Sequence, residues 1–272
     1  MTVARYEKSD FRDIEAFSDR EAVIMGITQP AVILRTTDGG ENWKTVFEDS
    51  SKNTFLDAMD FTGDRGAVIG DPVSGKIFIA QSTDRGKSWE KDLLPGMEMT
   101  ALGEAFFAAS GSNIRINSKD QWVIVSGGKK SCLYTNSGRY PLQLNQGEES
   151  TGANSIAISP AHPGQGFIVG GDFSKDKVTY RNSLWIQLKP FKQIPPLVPP
   201  RGYRSCVEYL DRTRLICCGT TGVDVSADGG MRWKGISDKS FHVCRKAKTG
   251  QSVYLAGAQG SISRIDWNGK VN

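Results

Sequence analysis

One short pattern, [ST]-x-D-x-G-x-x-W, constrains this chain more than any other feature. It occurs as Thr36-Thr37-Asp38-Gly39-Gly40-Glu41-Asn42-Trp43, as Ser82-Thr83-Asp84-Arg85-Gly86-Lys87-Ser88-Trp89 and as Ser226-Ala227-Asp228-Gly229-Gly230-Met231-Arg232-Trp233. The first two aspartates are 46 positions apart, and the second and third are 144 apart, which is three steps of 48. A regular spacing of this length marks a supersecondary unit repeated along the chain, each copy burying the face of the last. Two intermediate copies read as decayed: Tyr134-Thr135-Asn136-Ser137-Gly138 and Tyr180-Arg181-Asn182-Ser183-Leu184-Trp185, with Asn in place of Asp. Dividing 272 residues by a period of ~47 leaves just under six units.

The pattern, the D-box, is a turn. Asp accepts backbone N–H groups, glycine takes the left-handed backbone the turn requires, and the tryptophan packs the turn onto its own sheet. Asp38, Trp43, Asp84, Trp89, Asp228 and Trp233 are therefore read as scaffold. Around the turns, short β-rich runs recur four to a repeat: Phe11 to Phe17, Ala22 to Ile27, Val32 to Thr37 and Trp43 to Phe47 in the first. The expected fold is all-β, a β-propeller of six four-stranded blades with seven as the alternative, forming one domain over residues 1–272. In the third repeat Ala105 to Ser110 reads as the inner strand. In the fourth, Val178 to Tyr180 and Trp185 to Leu188 read as the third and fourth strands. The last repeat lacks a fourth strand, so Val3 to Tyr6 is expected to close the ring there, with Lys270 to Asn272 as a frayed tail.

Composition narrows the function. No apolar run approaches the ~20 residues of a membrane helix, so a soluble chain with no membrane span is expected. The 34 basic and 30 acidic residues are spread along the sequence, which argues against a nucleic-acid partner. Five cysteines form no CxxC pair and only two histidines are present, so no metal site or cofactor is expected and the thiols read as buried. The residues after Met1 lack the apolar core of a secretory signal, which fits a cytoplasmic chain or a trimmed one. A monomer is expected.

Antiparallel connectivity sorts the loops between two faces. The fourth-to-first and second-to-third connections share one face, and the D-box turns lie on the other. On the first face Asp71, Asp172 and Asp224 sit in second-to-third loops, and Glu104, Tyr203 and Arg204 in fourth-to-first connections. These six form the candidate ligand-binding cluster at the channel mouth, with Glu104 and Arg204 placed at the start of innermost strands, where they act on a ligand or pair with each other. The proline-rich stretch 189–201 reads either as a wall of that mouth presenting Ile194, Leu197 and Val198, or as a packed surface connection. No catalytic set is evident. Asp71, Glu104 and Asp172 are the candidates for a glycosidase carboxylate pair, and Asp71, Asp172 and Asp224 are hard oxygen ligands for calcium, without EF-hand spacing.

The D-boxes, with Gly70-Asp71-Pro72, Gly103-Glu104-Ala105-Phe106-Phe107, Gly202-Tyr203-Arg204-Ser205 and Asp224-Val225-Ser226, give the chain a resemblance to the Asp-box propellers of the photosystem II stability and assembly factor type, and to bacterial relatives labelled oxidoreductase or sialidase-like. The resemblance implies a propeller that binds a protein segment, peptide or glycan, and a periplasmic or extracellular location. It implies no redox chemistry, since no GxGxxG or CxxC is present. Sialidases share the turns, but their Arg-Ile-Pro segment is absent here. A binding or assembly role leads, and a sialidase-like or other glycoside hydrolase is the alternative.

Overall fold

The computed structural model describes residues 3–91, 99–118, 121–266 and 270–271. Six antiparallel sheets form the blades of a propeller. Blade one holds β1 (Phe11–Ala16), β2 (Ala22–Gly26), β3 (Ala31–Thr36) and β4 (Lys44–Asp49), and blade two holds β5 (Leu56–Thr62), β6 (Arg65–Val73), β7 (Lys76–Ser82) and β8 (Glu90–Lys91). A two-residue strand, β9 (Glu104–Ala105), precedes blade three, which has β10 (Ile114–Ser118) and β11 (Gln121–Val125), then, after the short β12 (Gly127–Gly128), β13 (Cys132–Thr135) and β14 (Gly138–Pro141). Blade four comprises β15 (Thr151–Ile158), β16 (Gln165–Asp172), β17 (Ser183–Gln187) and β18 (Lys192–Ile194). Blade five has β19 (Cys206–Tyr209), β20 (Leu215–Gly219), β21 (Gly222–Ser226) and β22 (Trp233–Ser237), and blade six β23 (Val243–Lys246), β24 (Val253–Ala256), β25 (Ile262–Asp266) and β26 (Lys270–Val271). Among the described residues no helix is long and apolar enough to cross a membrane.

The middle strands are apolar on both faces because each blade is sandwiched between two others. In β3 all six residues are buried. Val23, Met25 and Ile33 of blade one meet Leu56, Val68 and Phe78 of blade two. Equivalent clusters join blades two and three, three and four, four and five, and five and six. All five cysteines are buried and unpaired, with Cys206, Cys218 and Cys244 in the last of these clusters.

The sixth seam is different. The face of blade one that turns away from blade two, formed by Ile24, Val32 and Leu34, is covered by Val3 and Tyr6. Residues 3–9 make turns, Tyr6 N–H to the Val3 carbonyl at 2.9 Å and Ser9 N–H to the Tyr6 carbonyl at 3.0 Å. The N-terminus therefore does not close the ring as a strand, contrary to the expectation. The last sheet is completed by the C-terminal β26 on β25, so residues 270–271 are a strand rather than a frayed tail, and Asn272 lies outside the described residues. The physical reason is that an edge takes one partner, and the chain's own next segment takes it first. Blade six is tied to blade one by Lys248, whose Nζ donates to the Ala16 carbonyl at 2.6 Å and pairs with Glu15.

Two strand expectations are also corrected. The inner strand of blade three is Ile114–Ser118, not Ala105 to Ser110. In blade four, Val178 to Tyr180 is not a strand; Trp185 lies in the third strand and Lys192–Ile194 is the fourth, so Asn182 precedes the third strand and is not a decayed D-box. Tryptophan spacing alone gives the wrong register there.

The three full D-boxes share one hydrogen-bond set. Thr36 Oγ1 donates to Asp38 Oδ1 at 2.8 Å and accepts the Gly40 N–H at 3.0 Å, while Asp38 Oδ1 accepts the Asn42 N–H at 3.0 Å. Ser82 with Asp84, and Ser226 with Asp228, repeat it. The indole N–H of Trp43 and of Trp233 donates to the carbonyl of Gly40 and of Gly230 at 3.1 and 2.8 Å. Hydrogen bonds from Asn42, backbone first, hold Asp38 down at about 2.

Candidate functional site

The segment misread as a strand is the feature that shapes the site. Between β9 and β10, residues 106–113 precede blade three and cross the central channel, where they bond to residues of other blades. Asp71 Oδ1 on blade two accepts the Phe106 N–H at 2.9 Å. Ser110 Oγ donates to the Ser205 carbonyl at 2.7 Å and Ser112 Oγ to Ser155 Oγ at 2.7 Å. Arg245 Nη2 donates to the Ser110 carbonyl at 3.2 Å. Asn113 braces the loop from within, its amide donating to the Phe107 carbonyl and accepting its N–H, each at 3.1 Å. Gly111 has φ +61, and a Cβ there would stand 2.1 Å from Asp13 Oδ2 on blade one. The loop is a plug that divides the channel into two bowls.

The upper bowl, on the face of the second-to-third loops, has a volume of about 1170 Å³. Phe106 and Phe107 of the plug floor it, and Phe55, Phe173 and Tyr203 wall it. Phe173 packs edge-on against Phe107 and Tyr203, with ring centroids 5.8 and 6.2 Å away. Its polar groups include Asp57, Asp71 and Asn154. Asp57 is fully buried and neither carboxylate oxygen has a hydrogen-bond partner. Burial, with the charge of Asp71, pushes its carboxyl well above the usual range against the weaker pull of the Asp71 N–H, which is itself bonded to the Phe55 carbonyl, and burial raises Asp71 too, against the pull of the Phe106 N–H. Tyr203 Oη donates to Asn154 Oδ1 at 2.7 Å, which leaves the buried Asn154 Nδ2 without a partner.

Of the six residues expected at the mouth, Asp71 and Tyr203 line this bowl and the other four do not. Asp172 caps a single 3₁₀ turn, its Oδ1 accepting the Ser174 N–H at 2.9 Å and the Ser150 hydroxyl at 2.7 Å. Arg204 and Asp224, both fully buried, form an ion pair, and Arg201 Nε adds a bond to Asp224 Oδ1 at 2.8 Å. Glu104 does not begin an innermost strand and does not meet Arg204. It sits on β9, which pairs with β12, and accepts from Arg139 Nη2 at 3.0 Å and from the Tyr134 hydroxyl. Asp71, Asp172 and Asp224 thus bond in three separate settings, and among the described residues no cluster of His, Cys, Asp or Glu suits a metal ion.

Asp57 and Asn154 were missed by sequence reasoning. The available signal for Asp57 was a carboxylate inside the apolar run Phe55-Leu56-Asp57-Ala58-Met59 at the start of an inner strand. The proline-rich stretch does not line the upper bowl. Its first part is β18 of blade four, and its later part runs along blade five, with Leu197 N–H bonded to the Met231 carbonyl at 2.8 Å and Trp233 N–H to the Val198 carbonyl at 3.0 Å.

The lower bowl, about 740 Å³, is lined by Asp60, Arg115, Glu208 and Arg245, all on inner strands. These charges answer each other: Arg115 is 3.7 Å from Asp60 and 3.8 Å from Glu208, and Arg245 is 3.7 Å from Glu208.

Comparison with known proteins agrees with this architecture. Residues 4–108 match the family described as photosynthesis system II assembly factor YCF48. The structure of YCF48 bound to D1 peptide is 16% identical, with 97% of this chain and 95% of that one aligned at a TM-score of 0.50. The glycoside hydrolase family 74 enzyme of Niastella koreensis is 13% identical at a TM-score of 0.62, with 94% of this chain covering 45% of that one. An α-L-arabinanase of Penicillium chrysogenum, complexed with arabinobiose, is 12% identical at 0.54, with 93% and 92% covered. No curated protein matches the sequence significantly. The chain resembles the assembly-factor propellers, and the structural likenesses, all at low identity, show the fold.

Proposed function

We propose that this protein is a binding propeller of the assembly-factor kind and that the upper bowl captures a peptide or an extended protein segment. The observation that carries the reading is the plug: it closes the channel into a bowl with an aromatic floor and wall and a few convergent polar groups. Concave sites of that make-up are where proteins hold ligands, and about 1170 Å³ exceeds the ~300–1,000 Å³ typical of small-molecule sites. The match to the assembly-factor family over residues 4–108, and the D1 peptide held by the YCF48 propeller, support it.

Selection from a displayed random-peptide library against the full chain tests the reading. Phe173 is 48% exposed, so Phe173→Ala removes bowl wall without opening the core. Selected peptides are expected to lose about tenfold or more in affinity for that variant, the loss typical of a central aromatic contact, with the melting temperature unchanged. Peptides that bind Phe173→Ala as well as the parent would place binding elsewhere.

A second reading, glycoside hydrolysis, draws on the juxtaposed Asp57 and Asp71, since a carboxyl raised by burial beside another acid is the usual general-acid arrangement. Turnover of an aryl glycoside panel, abolished by Asp57→Asn, would establish it, and silence across the panel removes it.

A further inference from the structure

We propose that the upper bowl selects a primary ammonium group, from a lysine side chain or a free peptide N-terminus, seated against Asp57 and Asp71, while a backbone carbonyl of the same segment meets Asn154 Nδ2. This rests on the peptide-binding reading and names the chemistry the peptide carries.

Buried polar groups in folded proteins are almost always hydrogen-bonded, and each exception calls for a cause. Two exceptions line this one bowl: both oxygens of Asp57 on blade two, and Nδ2 of Asn154 on blade four. They differ in kind, since the first accepts and the second donates. A segment lying across the plug satisfies both only if it brings a donor to blade two and an acceptor to blade four.

Charge then selects the donor. Among the described residues lining the bowl, the acids are Asp10, Asp57 and Asp71, and Arg12 is spent on Asp10 at 2.6 Å. Among the described residues Asp57 and the part-buried Asp71 have no ion-pair partner, whereas Asp224 and Glu104, buried like Asp57, each have an arginine. The carboxyl of Asp57 is raised by burial and by Asp71, the condition that a bound cation reverses. Aromatic rings at Phe55, Phe107 and Phe173 line the bowl, and ammonium groups are drawn to the faces of such rings. A peptide carboxylate meets two unpaired acids there and is disfavoured.

The experiment is titration of the full chain, followed by NMR, with four small probes. Nα-acetyl-lysine methylamide presents a side-chain ammonium, alanine methylamide a free N-terminus, acetyl-norleucine methylamide is the neutral match of the first, and acetyl-glutamate methylamide carries the opposite charge. One or both ammonium probes are expected to saturate a site that shifts Phe173 and Tyr203 resonances, at least tenfold more tightly than the neutral and anionic probes, and the stronger of the two identifies the source. Asp57→Asn is expected to erase the preference while phenylalanine contacts remain. Should that variant fold poorly, Asp71→Asn reads the same loss, and the comparison of lysine with norleucine on the parent needs no variant. Equal binding of all four probes overturns the ammonium assignment, as does an undiminished preference in a folded Asp57→Asn. The two readings fail separately: library peptides that use the bowl without any ammonium sink this inference alone, whereas ammonium probes that bind while no peptide does sink the peptide reading.

Discussion

Gly111 of the plug and Asp13 of the first blade approach so closely that a Cβ on the glycine would lie 2.1 Å from the aspartate Oδ2. Asp13 cannot retreat freely, because that oxygen also accepts the Met59 N–H at 2.8 Å and its Oδ1 accepts the Ile14 N–H at 2.8 Å. With φ at +61, the glycine is required both by the backbone and by the space. Gly111→Ala is therefore expected to cost ~2 kcal/mol or more, since it combines backbone strain with a clash. Chemical denaturation measures the loss, and weaker binding in the upper bowl should accompany it because its floor shifts. An unchanged denaturation midpoint would show that the plug is not held against blade one.

The Asp224 cluster is a structural brace. Arg204 is fully buried, with Nε 2.7 Å from Asp224 Oδ2 and Nη1 donating to the Tyr203 carbonyl at 2.8 Å and to Thr221 Oγ1 at 2.6 Å. Asp224→Ala leaves that guanidinium buried without its counter-ion, a change that typically costs ~3–5 kcal/mol. Arg201→Ala removes a half-exposed partner and is expected to cost only ~1 kcal/mol. Similar losses for the two variants would contradict this ranking.

At the chain ends the two truncations act differently. Deleting residues 1–8 uncovers Val32 and Leu34, and each apolar side chain returned to water costs ~1.5–3 kcal/mol at most. Deleting residues 270–272 strips β26 from β25 and exposes a strand edge, with each lost backbone bond costing ~1 kcal/mol. Both deletions are expected to lower the melting temperature, and light scattering should detect aggregation more strongly in the C-terminal one. A C-terminal deletion indistinguishable from the parent would make β26 dispensable.

Stability should peak at mildly acidic pH. Burial, offset by Arg245, raises Asp13 to about 7, so folding favours its protonated form. A raised carboxyl contributes stability that is fully present below its unfolded value near ~4 and is lost as pH rises through about 7. Asp38 and Asp84, held down at about 2, act in the opposite sense and withdraw their contribution as pH falls from ~4 toward 2. Urea midpoints compared between ~pH 5 and ~pH 8 are expected to fall in the parent and to fall less in Asp13→Asn. Parallel profiles would remove Asp13 from the titration.

What the sequence alone determined is the part of the protein built from near neighbours. Asp38 bonds to Thr36 and Asn42, and Trp233 to Gly230, all within four residues, so the spacing of a few side chains was enough to locate the turns and, from their period, the six blades. The tertiary structure decided everything that depends on which distant groups meet. Phe106-Phe107-Ala108-Ala109 has the composition of a strand, and it becomes a plug because its neighbourhood bonds to Asp71, Ser155, Ser205 and Arg245 on four other blades. In the sequence Asp224 stands out as a candidate site residue and Asp57 does not. Packing within blade five gives the first two arginines, and blade two gives the second none among the described residues, a difference that only the assembled fold sets.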